Sequence, residues 1–305
     1  MYTGRFAPSP TGPLHFGSLI AAVASYLEAR TQQGKWLVRM EDLDQPRSMP
    51  GAADAILQAL ETFGFEWDGV VVYQSQRNEA YAQALALLQA KNLIYSCACS
   101  RREIADSALA GIDGPVYPGT CRDGLATSKQ GLAQRIRTED RIITFNDVIQ
   151  GCVSQNLASD IGDFVLRRAD GYHTYQLAVV VDDAEQGITN VVRGADLLAS
   201  TPRQIYLQQL LGFTTPTYAH VPIAANLQGK KLSKQTLAQA LNPQQAVLQV
   251  WQALHFLGQF PPTKLIDANL ADLWTWAKLH WDIRHVTRQR ILPGDFNACA
   301  TKSAC

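Results

Sequence analysis

Apolar positions in the first ninety residues alternate between two periods. "GRFAP" is short and extended, and "PSPTGPLHFGS" then supplies two prolines and two glycines before the next element. In "LIAAVASYLEARTQQG" the residues Leu19, Ile20, Val23, Ala24 and Leu27 fall on one helical face, and the helix is expected to end at Gly34. "KWLVRM" predicts a second strand running into the acidic loop "EDLD". The next predicted helix covers about Pro50 to Phe63, with Ser48 as its cap and Gly64 closing it. A strand "VVVY" and a helix over Asn78 to Lys91 complete a strand-helix alternation, the pattern of a mostly parallel sheet covered by helices.

That rhythm breaks between Tyr95 and about Gln155, where cysteines, glycines and prolines are followed by short strands such as "RIIT" and "FNDVIQG". The pattern predicts an insertion over 95–155. Alternation resumes in "DFVLRRADGYHTYQLAVVVDD", with "ADG" as a hairpin turn, and continues through strand "GITNVVRG" and helix "ADLLASTPRQIYLQQLLG". Beyond residue 229 the chain reads as mostly helical, with Trp251, Leu254 and Leu257 at helical spacing. The expected organisation is an α/β unit split over 1–94 and 156–228, the insertion, and a small helical unit over 229–305.

Composition adds exclusions. Lys and Arg total 27, matched by 27 Asp and Glu, so overall charge gives no support to nucleic-acid binding by the whole surface. Residues 278–302 are locally basic, with Lys278, Arg284, Arg288, Arg290 and Lys302 against Asp282 and Asp295. That excess suits a solvated tail or a phosphate-contacting surface. No apolar run reaches the roughly 18 residues of a membrane span, and "MYTGRFAPSP" lacks the features of a signal peptide, so a cytoplasmic protein is expected.

"RFAPSPTGPLHFGSL" places His15, Gly17 and Ser18 at a helix start. Backbone amides at the positive end of a helix dipole suit a phosphate, and a histidine there can hydrogen-bond a phosphate oxygen as charge builds. A structural turn with a solvent-facing histidine fits the same residues. The stretch closely resembles the signature of class I aminoacyl-tRNA synthetases of the glutamyl type, with "HFGS" where the class carries its HIGH motif. Ser18 stands in place of the second histidine, a departure that glutamyl enzymes commonly share.

The same resemblance gives meaning to "GKKLSKQ", about 210 residues further on. Alone it suits a solvated basic loop. By resemblance "KLSKQ" is the KMSKS signature, and it implies Lys231 and Lys234 as ATP ligands, with Lys234 neutralising pyrophosphate in the transition state. Mobile lysines suit adenylyl transfer, which needs charge neutralisation more than covalent help. Together the two signatures imply a Rossmann-like catalytic domain in which Pro8, His15, Gly17, Ser18, Lys231 and Lys234 contact ATP with its Mg²⁺, His15 and Lys234 being catalytic. For the amino acid, the resemblance implies a pocket of Arg5, Phe6, Ala7, Pro8, Ser9, Glu41, Tyr175 and Arg193. A substrate with two carboxylates and an ammonium calls for an arginine fork and an acid. Taken singly, each pocket residue also suits a surface ion pair or a core tyrosine.

Three of the six cysteines, Cys97, Cys99 and Cys121, fall within 25 residues, which in a chain without a secretion signal points to metal more than to disulfides. Cys152, Cys299 and Cys305 are expected to be free thiols. Two thiolates two residues apart can grip one Zn²⁺, whose structural sites want four ligands. The spacing C-x-C then Y-x3-C resembles a zinc module inserted in a subset of the family, implying Cys97, Cys99, Tyr117 and Cys121 around one structural Zn²⁺. Water or a distant histidine such as His173 are alternatives to Tyr117, and three thiols without metal also fit.

Only 70 residues follow "GKKLSKQ". Glutamyl- and glutaminyl-tRNA synthetases continue with a long anticodon-binding domain, which 70 residues cannot hold beside a helical stem. With "CAC", "YPGTC" and "YQLAVVVDDAEQGITNVVRGADLL", the chain resembles the family of glutamyl-queuosine tRNA(Asp) synthetases. That resemblance implies activation of L-glutamate by ATP and transfer to the queuosine base in the anticodon loop of tRNA(Asp). A truncated synthetase charging a tRNA 3′ end and a non-catalytic glutamate- or tRNA-binding paralogue remain alternatives. A monomer is the default expectation.

Overall fold

The computed structural model describes residues 1–107, 110–111, 114–125, 132–226 and 239–294. Its elements run β1 (Thr3–Phe6), α1 (Phe16–Thr31), β2 (Lys35–Met40), α2 (Ala52–Thr62), β3 (Val72–Tyr73), α3 (Asn78–Ala90), β4 (Ile94–Cys97), α4 (Arg101–Ser107), β5 (Ala110–Gly111) and β6 (Gly114–Pro115). They continue with β7 (Ala133–Ile136), β8 (Ile142–Asp147), β9 (Gly151–Asn156), β10 (Val165–Arg167), α5 (Tyr175–Glu185), β11 (Asn190–Gly194) and α6 (Thr201–Leu211). The last are β12 (Thr217–Val221), β13 (Ile223–Ala225), α7 (Ala246–Phe256), α8 (Leu270–His280) and β14 (Ile291–Pro293).

The parallel sheet expected from the first alternation is present. β2 pairs in parallel with both β1 and β3, and β11 pairs in parallel with β12. The two groups lie side by side, because the Thr189 N–H donates to the Thr3 carbonyl at 3.0 Å. The order is therefore β3-β2-β1-β11-β12, and the chain leaves β1 in one direction and returns in the other. Such a reversal opens a crevice at the carboxyl ends of the strands.

Beneath that crevice Trp36 is fully buried, stacked on Phe6 (centroids 6.1 Å apart) and Phe65 (5.5 Å), with Tyr26 edge-on at 5.1 Å. Burial of one such large side chain contributes about 2–3 kcal/mol. The C-terminal helices share this core: Trp274 packs edge-on against Tyr26 at 5.2 Å, and its Nε1 donates to the Phe63 carbonyl at 2.9 Å. Trp251 and Leu254 of α7 and the following Leu257, the expected helical trio, are buried in it.

Several local expectations are corrected. Ser48 does not cap α2: its hydroxyl bonds the Asp44 carbonyl, and the cap position is Gly51, whose φ of +75° suits glycine. "YQLAVVVDD" forms a helix, not the far arm of a hairpin, although β10 does turn through "ADG" and bridges back at His173. Leu177 to Val181 are all buried, so the run shows no exposed helical face to read. "RIIT" and "FND" are one strand, β8, antiparallel to β9. A second sheet, β10-β7-β4, takes strands from 94–97 and 165–167, and so spans both limits of the expected insertion. Among the described residues, no helix is long and apolar enough to cross a membrane.

Candidate active site

The reversal between β1 and β11 forms a cleft of about 520 Å³. Arg5, Phe6, Ala7, Pro8 and Ser9 reach it from the end of β1, Glu41 from the end of β2, and Arg193 from β11. Tyr175 enters at the start of α5, and His15, Gly17 and Ser18 at the start of α1. Every expected ATP and amino-acid contact among the described residues therefore lines one cavity. Lys231 and Lys234 lie outside the described residues. The chain returns from that segment at Ala240, which bridges His15, while the Leu241 N–H donates to the Leu14 carbonyl at 2.9 Å.

His15 is itself the cap of α1. Its Nδ1 accepts from the Ser18 N–H at 3.3 Å, which puts the ring hydrogen of the neutral imidazole on Nε2. One first-turn amide is thus already engaged.

On one side of the cleft the arginines are embedded among acids. Arg5, 3% exposed, donates through Nε to Asp183 Oδ1 at 3.3 Å, and Arg39 Nη2 approaches the same oxygen at 2.8 Å. Arg39 also contacts Glu41 (3.4 Å), Asp182 (3.7 Å) and Gln186 (2.7 Å). Asp182 is fully buried and accepts from Gln74, Arg77 and Tyr81, and Arg77 additionally pairs with Glu185. Burial works to raise the Asp183 pKa, but Arg5 and Arg39 outweigh it and hold the carboxylate below its ordinary range. At Glu41 burial wins over Arg39 and Arg5, and the carboxyl is pushed up. Arg5 has no acceptor for its two Nη groups among the described residues, so its fork is the one open to a ligand carboxylate.

Arg193, 4% exposed, is held differently. Nε donates to His220 Nε2 at 3.0 Å, Nη1 to the Tyr175 hydroxyl at 3.1 Å, and Nη2 to Thr201 Oγ1 (2.9 Å) and Gln204 Oε1 (2.8 Å). Four of its five N–H groups are engaged, leaving one for the cleft. His220 is fully buried, and burial, with the Arg193 charge, lowers its pKa to about 4 against the pull of Asp147. It is therefore neutral near pH 7. Since Nε2 accepts from Arg193, the ring hydrogen lies on Nδ1, 2.6 Å from Asp147 Oδ2. Asp147 works against its own burial through His220 and backbone amides, and stays ionised.

Arg5 thus turns an open fork to the cleft, and Arg193 a single donor. Arg39, Asp182, Asp183, Asp147 and His220 were not singled out from the sequence. "VVVDD" after the pocket tyrosine is the one local signal that pointed at two of them.

The cysteine cluster lies apart. The sulfurs of Cys97, Cys99 and Cys121 all fall within 4.8 Å of one another, with 3.5 Å between Cys99 and Cys121. The Tyr117 hydroxyl sits 3.4 Å from Cys97 Sγ and 3.6 Å from Cys99 Sγ. Tetrahedral zinc with Zn–S bonds of about 2.3 Å would place its sulfurs ~3.8 Å apart, so the donor set fits the ion with little movement. Gly162 (φ +70°) lets the chain pass: a Cβ there would lie 2.7 Å from Val116 Cγ1 and 3.0 Å from the Tyr117 nitrogen. The guanidinium of Arg135 lies 3.9 Å over the Tyr117 ring. His173 packs edge-on against Tyr81 instead, at 5.6 Å, and is not among the clustered donors.

Known proteins similar to this chain share its family and fold. Residues 2–254 match the family described as tRNA synthetases class I (E and Q), catalytic domain. A glutamyl-Q tRNA(Asp) synthetase of Dechloromonas aromatica is 62% identical over 95% of this chain and 97% of its own length. The protein of the same name from Chromobacterium violaceum is 56% identical over 94% and 95%. The crystal structure of glutamate-tRNA synthetase from Elizabethkingia anophelis superposes with a TM-score of 0.76 at 25% identity, covering 94% of this chain and 67% of that one.

Proposed function

We propose, from the premise that the chain belongs to the class I glutamyl and glutaminyl tRNA synthetases and within them to the glutamyl-Q tRNA(Asp) synthetases, a two-step ligase reaction. The protein activates L-glutamate with ATP and transfers it to the queuosine base of tRNA(Asp). The observation that carries the assignment to this cleft is that the pocket residues from β1, β2, α5 and β11 converge on one cavity that His15, Gly17 and Ser18 of the "HFGS" turn also line.

In the first step a carboxylate oxygen of glutamate attacks the α-phosphorus of ATP, forming an O–P bond as the bridging P–O bond breaks and pyrophosphate leaves. Mg²⁺ belongs to the ATP complex as substrate. Pro8, Gly17 and Ser18 contact the nucleotide, and His15 Nε2–H donates to phosphate oxygen. Lys231 and Lys234 neutralise the departing charge. Arg5 takes a carboxylate through its open fork, Glu41 faces the ammonium, and Arg193 with Tyr175 supplies single donors. Phe6, Ala7 and Ser9 shape the near wall. In the second step a hydroxyl of the queuosine cyclopentene-diol attacks the carbonyl carbon of the adenylate; AMP leaves and the hydroxyl loses its proton. The protein supplies orientation and charge, not a covalent nucleophile.

Within this reading residues 1–94 and 156–228 form the catalytic unit, 95–155 the insertion, and 229–305 the lysine loop and a helical stem-contacting unit. Cys97, Cys99, Tyr117 and Cys121 hold one structural Zn²⁺, which when bound would tie the end of β4 to the segment from Tyr117 to the turn at Cys121. Glutamate-dependent exchange of label between pyrophosphate and ATP tests the first step. It is expected in the parent protein and lost in Lys234→Ala; exchange absent from the parent would reject the assignment.

A further inference from the structure

The hairpin β8–β9 carries no residue of the cleft, yet its end is bound to the amino-acid pocket through buried side chains. Asp147 closes β8. Its Oδ1 accepts the backbone N–H groups of Ile149 (3.1 Å), Gln150 (2.8 Å) and His220 (3.1 Å), and its Oδ2 faces His220 Nδ1 at 2.6 Å. The neighbouring Val148 N–H donates to the Tyr218 carbonyl at 2.9 Å, so the hairpin is laced onto β12 at this point. His220 in turn presents Nε2 to Arg193 Nε at 3.0 Å and to the Thr201 hydroxyl at 3.2 Å. Asp147, His220 and Arg193 are 1%, 0% and 4% exposed, so water does not compete along the chain.

The Arg193 contact fixes the hydrogens of the imidazole, whichever way the Thr201 hydroxyl turns between His220 and the Leu197 carbonyl (3.3 Å). Arg193 Nε can only donate, so His220 Nε2 must accept, and Nδ1 must carry the hydrogen that Asp147 receives. We infer that Asp147 and His220 are positioning residues for the cleft: Asp147 fixes the imidazole tautomer, and the tautomer fixes the plane of the Arg193 guanidinium and the direction of its one unspent N–H. The inference rests on the reading of the cleft as a glutamate site. It assigns a determinant of amino-acid binding to a strand that follows the cysteine cluster in sequence and touches no substrate. A mispointed guanidinium would weaken glutamate binding and leave ATP binding alone.

Asp147→Asn is the test. The amide keeps the shape and the Oδ1 acceptor for the three backbone N–H groups, but it turns a donor toward His220 Nδ1. The imidazole then has to protonate at Nε2, opposing donor to donor against Arg193. Glutamate-dependent pyrophosphate exchange is expected to show KM for glutamate raised about 10- to 100-fold, with KM for ATP within about twofold of the parent. Unchanged KM for glutamate in the folded variant overturns the inference and leaves the cleft assignment standing. Absence of glutamate-dependent exchange in the parent removes the cleft assignment itself. Nitrogen-15 spectra of histidine-labelled parent protein give a second readout independent of how the variant folds. At neutral pH one imidazole is expected with Nδ1 protonated and Nε2 unprotonated, its signal lost in His220→Gln; an Nε2–H tautomer or an imidazolium for His220 overturns the inference.

Discussion

On the β1–β2 side of the cleft, Arg5 and Arg39 share Asp183, and Glu41 and Asp182 complete a dense ionic cluster. On the β11–β12 side the acceptors around Arg193 are all neutral: a histidine, a tyrosine, a threonine and a glutamine. The same residue type is held by opposite means. Carboxylates cancel the charge of Arg5 and leave its fork open, so that side contributes geometry. Neutral partners spend nearly every donor of Arg193 but leave its charge uncompensated, so in the proposed reading that side receives the anionic side chain. Glutamine would leave such a charge unpaired, a mismatch far costlier than a missing methylene. The contrast teaches that substituting a partner should harm the two sides in different ways, folding on the ionic side and substrate binding on the neutral side, where only protonation of the buried histidine reaches stability.

The largest expected effect breaks the ionic side. Asp183→Asn takes from buried Arg5 its one carboxylate partner and from Arg39 its shortest, and should lower stability by about 3–5 kcal/mol, read by urea denaturation. Acid should next affect the neutral side. Unfolded His220 takes up a proton near 6.5 and the folded, buried residue only near 4, so protons favour the unfolded chain across that window. Stability should therefore fall as pH drops from 6.5 towards 4, by up to about 3 kcal/mol for this residue. His173, lowered by burial and by Arg167, adds to the same trend. Denaturation midpoints over that range should fall less steeply in His220→Gln than in the parent; parallel curves would contradict the assignment.

Arg193→Lys sharpens the comparison further, because it keeps the charge and loses the planar fork. KM for glutamate should rise about 100-fold while KM for ATP holds. The smallest effect lies away from the cleft, where Tyr117→Phe removes the oxygen donor beside the three thiols. Bound zinc, measured by elemental analysis, should fall below one per chain, with a loss of about 1 kcal/mol or more in stability. Full zinc in that variant would remove Tyr117 from the ligand set.

What the sequence revealed follows the same division. The cleft residues were legible through the resemblance to glutamyl-type synthetases, which short motifs such as "RFAPS", "HFGS" and "VVRG" carry, since each residue taken singly also suited a surface pair or a core position. Their supports were not. Asp147 lies 73 residues from His220, in a stretch whose local pattern announces only a hairpin. Asp183 and Asp182 read as the polar end of an apolar run until the helix turns them toward Arg5, Arg39 and Arg77. The helix itself was obscured because protein surrounds it, so no periodicity survives in "LAVVV". The cap of α2 was misplaced for a different reason: Gly51 serves through its backbone, while Ser48 only has the side chain that caps usually carry.

The central claim concerns which acceptor receives the glutamate. Transfer of labelled glutamate to tRNA(Asp) with and without queuosine tests it most directly, since both carry the same 3′ end and differ only at the modified base. The account predicts label on the queuosine-containing tRNA and none on its queuosine-free counterpart. Label on queuosine-free tRNA(Glu), with none on tRNA(Asp) of either kind, would contradict it.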